Sequence, residues 1–120
     1  MGLDVYFVVP GEEEIILGLR NHHDFFCLIG ARRPPLAYFG SDDLLIDSYV
    51  LEEVAAQLQE EMREAGLSED DIPAEVPEAF WYRDGREIEW TEVLPVYARI
   101  TLDLIDAVET HGTLICAFSA

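Results

Sequence analysis

Reading the apolar positions in order divides the chain into strand-like and helix-like stretches. Leu3 to Val9 is β-branched and aromatic, interrupted only by Asp4, and predicts a central strand closed by Pro10-Gly11. Glu12-Glu13-Glu14 stands ahead of Ile15-Ile16-Leu17. Acids in a first turn complement the helix dipole, so a short helix is favoured there, although Gly18 weakens it. Asp24 to Gly30 reads as a second buried strand, Arg32 to Pro35 as a loop, and Leu36 to Phe39 as a short strand. From Ser48 to Ala65, Tyr49, Val50, Val54, Leu58 and Met62 recur near every 3.6 residues, with glutamates filling the other positions. Asp47 or Ser48 can cap this helix, and Gly66 followed by Leu67 is a stop signal.

Ser68 to Pro77 is acidic and punctuated by proline, which suits an ordered loop or one helical turn. Ala79 to Tyr82 and Arg86 to Trp90 flank Asp84-Gly85, a hairpin signal. A second helix from about Pro95 to Thr110 carries the stripe Tyr97, Ile100, Leu104, Ile105 and Val108. His111-Gly112 ends it, and Thr113 to Phe118 forms a last buried strand. The pattern predicts an α+β single domain over residues 1–120. A mixed sheet of four to six strands carries two main helices on one face, with the first and last strands central.

Half of the 120 residues are hydrophobic, so a sizeable core forms despite the acidity. The two cysteines, Cys27 and Cys116, both lie in apolar runs. They read as buried thiols of a reducing compartment, with a Cys27–Cys116 disulfide as the alternative. No signal-peptide pattern opens the chain and no apolar stretch is long enough to span a bilayer, which predicts a cytoplasmic protein.

Charge changes this picture most. The net charge is −18, and all seven basic residues are arginine. Residues 41–92 hold seventeen acids and three arginines, whereas 1–40 hold five acids and three arginines, and 93–120 hold three acids and one. Such a balance repels phosphate backbones and anionic membranes and favours a basic partner.

Several groups of residues invite a chemical reading. His22, His23 and Asp24 offer zinc-ligand types, with Cys27, His111 and Cys116 further on, but the spacing matches no ligand motif. A Cys27–His pair would place its thiol inside an apolar run, where a thiol is inert. The acidic pairs, such as Glu52-Glu53 and Glu60-Glu61, occupy the polar side of a helix, the ordinary place for solvated charge. No glycine-rich phosphate loop or nucleophile elbow is present.

Phe80-Trp81-Tyr82 and Trp90 sit within the acidic block. Apolar anchors ringed by carboxylates are what a site for a cationic protein needs, while the competing expectation is that these rings pack on the core. The candidate partner-binding residues are therefore Glu60, Glu61, Glu64, Asp70, Asp71, Trp81, Tyr82, Asp84, Glu87 and Trp90.

The chain ends resemble the YfbM-like family of uncharacterised bacterial proteins. Met1-Gly2-Leu3 runs directly into an apolar strand. A helix through Tyr97, Leu104 and Val108 leads to His111-Gly112 and the strand from Thr113. The resemblance covers about a third of the chain and carries over no catalytic residue. In general character the chain also resembles bacterial immunity proteins, which bind a cationic toxin, often a nuclease. The leading expectation is a non-enzymatic, cofactor-free binding protein that neutralises or masks a basic protein partner such as a toxin. It has two alternatives: a nucleic-acid mimic that occupies a DNA- or RNA-binding protein, and a small metal-dependent enzyme using His22, His23 and Asp24.

Overall fold

The computed structural model describes residues 3–12, 14–30, 44–81 and 89–119. Strand β1 (Asp4–Val8) alternates as a half-covered strand should: Val5 and Phe7 are buried and Tyr6 faces out. Gly11 takes a positive φ of 79° beyond the strand end. The turn is closed by Val9 N–H donating to Glu14 O (3.2 Å) and Glu12 N–H donating to Val9 O (3.1 Å).

Glu12 and Glu14 therefore belong to a turn, and the segment expected to be a short helix is strand β2 (Ile15–Arg20), antiparallel to β1. Leu17 faces Phe7 and Leu19 faces Val5 across the pair. The ladder to β1, which buries Leu19 opposite Val5, outweighs a dipole preference worth about 0.3–1 kcal/mol. Gly18 lies opposite Tyr6, whose ring approaches so closely that a Cβ at position 18 would stand 3.0 Å from Cδ1. The missing side chain is what lets the ring lie flat over the strand.

Asn21 ends β2 in the left-handed region, with a φ of 65°, a conformation asparagine tolerates. Its side-chain oxygen accepts from Leu3 N–H (3.0 Å) and its own N–H donates to Leu3 O (2.7 Å), tying the start of β1 to the turn.

The segment expected to be a second buried strand is helix α1 (His23–Gly30). Phe25 and Ile29, four residues apart, are buried; Phe26 and Leu28 are partly covered, and Cys27 is exposed. A short apolar run fits either period, and packing decides between them. This corrects the expectation of two buried thiols: Cys116 is buried, Cys27 is in contact with solvent, and the two are not joined in a disulfide.

Strand β3 (Leu44–Ile46) precedes helix α2 (Ser48–Glu64), which matches the expected bounds. Asp47 caps α2 by accepting from Val50 N–H at 3.0 Å. At its end Gly66 takes a φ of 79°, Leu67 N–H donates to Met62 O (2.8 Å), and Gly66 N–H donates to Arg63 O (3.1 Å). These are the two bonds of a Schellman stop. The buried stripe is Val50, Leu51, Val54, Leu58 and Met62. Tyr49, expected on that stripe, is 65% exposed, because it lies about 140° around the helix from Val54.

Two single 3₁₀ turns follow, Glu69–Asp71 and Glu78–Trp81. The expected hairpin strand from Ala79 is thus a helical turn as far as Trp81, and Trp90 is the first residue of helix α3 (Trp90–His111). The expected Asp84-Gly85 hairpin turn lies outside the described residues, as does the expected strand at 36–39. Helix α3 starts a turn and more before Pro95 and buries Tyr97, Ile100 and Leu104 of the expected stripe.

Strand β4 (Leu114–Ser119) completes a sheet of order β2-β1-β4-β3. The first and last strands are central, as expected. All three pairings are antiparallel, where a mixed sheet was expected. One apolar cluster joins the inner face of the sheet to α1, α2 and α3, giving an α+β domain. Among the described residues, no helix is long and apolar enough to cross a membrane.

Candidate functional site

Burying Val54, Leu58 and Met62 on one side of α2 forces its remaining residues into water. Tyr49, Glu52, Glu53, Ala56, Glu60, Arg63 and Glu64 form the solvent strip, all exposed. The Schellman stop turns the chain back beside this strip and delivers Glu69, Asp70 and Asp71, also exposed. Gln59 donates to Glu69 (3.2 Å), which fastens the turn to α2, and Asp71 accepts from Ser68 N–H at 2.8 Å. Residues 44–81 hold eleven acids and one arginine. Each of the three arginines among the described residues is in an ion pair: Arg20 with Asp4, Arg63 with Glu60, and Arg99 with Asp103. The Glu60 carboxylate, by hydrogen bond and then by charge, raises the Arg63 guanidinium above its ordinary pKa.

Between this turn and the two long helices lies an open groove of about 830 Å³. Ala55, Ala56 and Ala98 line it, and side chains that small cannot fill the space between the helices. Leu67, Ile72 and Leu102 add apolar walls, with Glu60, Arg63, Glu69 and Arg99 at the rim.

The structure divides the ten candidate partner-binding residues. Glu60, Glu64, Asp70 and Asp71 share the open acidic side. Glu61 is half-buried and accepts from the Trp90 indole N–H at 3.1 Å and from the Gln57 amide at 3.3 Å. Trp81 and Trp90 are half-buried against the core, so their rings pack inward in place of forming exposed anchors. Tyr82, Asp84 and Glu87 lie outside the described residues. The exposed aromatic on the acidic strip is Tyr49.

A second polar constellation lies inside. His22 is 1% exposed. Its ring stacks on Phe80 (centroids 4.6 Å apart) and meets Tyr97 edge-on. Nε2–H donates to the Phe80 carbonyl at 2.6 Å, and Nδ1 lies 2.9 Å from the Tyr97 hydroxyl, which bonds Asp24 in turn. This wiring counts protons. The phenol has one proton to give. Given to Asp24, it leaves the phenol oxygen to accept from Nδ1–H, so the imidazole is cationic opposite a carboxylate. Given to Nδ1, it leaves the imidazole neutral and needs a proton on Asp24. Both states hold the same number of protons and are neutral overall. The arrangement joins α1, the turn at Phe80 and α3 by bonds that are buried or part-buried.

The residues of the metal-ligand reading, His22, His23 and Asp24, are placed apart in environment: both His22 nitrogens are engaged with protein partners, and His23 is exposed on α1. Among the described residues, no three His, Cys, Asp or Glu side chains are grouped to hold a metal ion. Sequence reasoning placed Tyr97 only in an apolar stripe. The signal it carried was its hydroxyl, which needs a partner when buried. The groove was also missed. Its signal was the alanines at 55, 56 and 98 on helix faces otherwise built of larger residues.

Compared with protein-family models, curated proteins and solved structures, the chain matches none.

Proposed function

We propose that this chain is a binding protein that neutralises or masks a basic protein partner, engaging it with the α2 strip and the turn at residues 69–71. An immunity- or antitoxin-like inhibitor acting in the cytoplasm is the form that fits best. The observation that carries the reading is the imbalance of residues 44–81, eleven acids against one arginine that is already paired, with the acids of α2 and the following turn largely in water. Solvated carboxylates add little to stability, at about 0–1 kcal/mol for each exposed pair. Their collective field speeds encounter with a cation.

The experiment captures the partner from host extract at low salt, then measures its association with the wild-type chain and with a Glu52→Gln/Glu53→Gln/Glu64→Gln/Asp70→Asn variant. The expected partner is basic, and the variant slows association about tenfold at low salt, with the difference shrinking as exposed charges are screened. Equal rates at low salt would overturn the reading. Competition with DNA or RNA for the same partner site would identify a nucleic-acid mimic.

A further inference from the structure

The groove between α2, α3 and the turn at residues 67–74 has a chemistry distinct from that of the acidic strip beside it. Few large apolar side chains among the described residues are exposed, and one of them, Leu102 at 38%, stands in this groove. Opposite it are the half-buried Leu67 and Ile72, over a floor that includes the buried Met62 and Ala98. The walls are fixed: the Schellman stop sets the position of Leu67, and the Gln59–Glu69 bond holds the turn against α2.

Charge varies from the centre outward. In the lining, Glu60 and Glu69 balance Arg63 and Arg99, and both arginines are engaged, with Glu60 and with Asp103. The excess of acid lies just beyond, on Glu52, Glu53, Glu64, Asp70 and Asp71, all exposed. A cation pushed into the centre would meet two arginines and compete with Arg63 for Glu60 and with Gln59 for Glu69, whereas a cation at the flank meets unbalanced acid.

We propose that this groove seats an apolar side chain of the basic partner's docking segment, whose lysines and arginines lie on either side and reach the flanking carboxylates. The proposal rests on the reading of the protein as a binder of a basic partner and adds where and how the partner is gripped. A second copy of this chain is a poor occupant, because each copy brings a net charge of −18.

The test uses three short synthetic peptides of helical amphipathic pattern: leucine with lysine, leucine with glutamate, and glutamine with lysine. Each is titrated into the full chain while backbone amide resonances are followed. The leucine–lysine peptide is expected to bind, to shift Ala55, Ala56, Leu67, Ile72 and Leu102, and to weaken with salt. Leu102→Gln should weaken it about tenfold, as expected when an apolar contact is lost. Ala56→Arg, at an exposed position on the groove wall, should weaken it as well and gives a second variant whose fold is not at risk. The glutamine–lysine peptide should bind more weakly and without shifts in the groove.

If the leucine–lysine peptide shifts only Tyr49, Glu52 and Glu53 and ignores both substitutions, the groove is not the seat, while the basic-partner reading stands. If the leucine–glutamate peptide fills the groove equally well, the basic-partner reading fails and the groove is a purely apolar site. No binding of the leucine–lysine peptide overturns the proposal.

Discussion

The joint around His22 gathers polar groups from distant parts of the chain and the strip along α2 gathers neighbours, and the two obey opposite rules. At the joint, His22 is 1% exposed and each ring nitrogen has a partner. Removing any member strands another in a dry place, which costs about 1–3 kcal/mol for each unsatisfied group. Along the strip, Glu52, Glu53, Glu60 and Glu64 stand in water, where each is replaceable and only their sum exerts a field. His22-His23-Asp24, which looks like chemistry in the sequence, is structural in two of its three members. The repeated glutamates, which look like ordinary solvation, are the better candidates for recognition. The Trp90 indole bond to Glu61 is a place where the two regions touch.

Four tests press on this contrast. His22→Ala should cost the most, about 3 kcal/mol, because it opens a void beside Phe80 and leaves the Phe80 carbonyl and the Tyr97 hydroxyl without the ring. Urea denaturation should show a lower midpoint at unchanged slope. Tyr97→Phe should cost about 2 kcal/mol, and combining it with Asp24→Asn should cost less than the two single losses together. Strict additivity would mean that the hydroxyl does not couple the two sides. Trp90→Phe keeps the ring beside Tyr97 but removes the indole donor to Glu61, for a loss of about 1 kcal/mol in thermal or chemical unfolding. The Glu52→Gln/Glu53→Gln pair should change stability least, within about 0.5 kcal/mol per site. Any gain should appear at low salt and vanish at high salt, and a clear loss of stability would show the strip to be structural.

How much of this was legible depends on how many signals coincided. At α2 the period, the Asp47 cap and the Gly66 stop agree, and the bounds follow from them within a residue. At Asp24–Gly30 only an apolar run was available. Seven residues are too few for period alone to separate a strand from a helix, and the decision belongs to Phe25 and Ile29 meeting the core from one side. At Ile15–Arg20 the glutamates argued for a helix, while the partner that makes a strand, β1, lay across a turn. The acidic face was readable as a count but not as a surface, because its shape depends on the chain reversing after Gly66. The aromatic half of the candidate site was readable only as composition. Whether Trp90 faces a partner or Tyr97 depends on α3 beginning at Trp90, a turn earlier than its proline suggested.

The order β2-β1-β4-β3 has a consequence for how the fold is reached. Asp4 stands opposite Ser119, so the middle of the sheet joins segments separated by nearly the whole described chain. The β1–β2 hairpin can close at once, but among the described residues β3 has its ladder partner only in β4. The last strand is thus the keystone of the sheet. Until it arrives, Val5 and Phe7 border an open edge and Leu44 and Ile46 have no ladder among the described residues, so closure carries the entropy of a very long loop. Losing β4 would leave a hairpin and an orphan strand where a sheet had been.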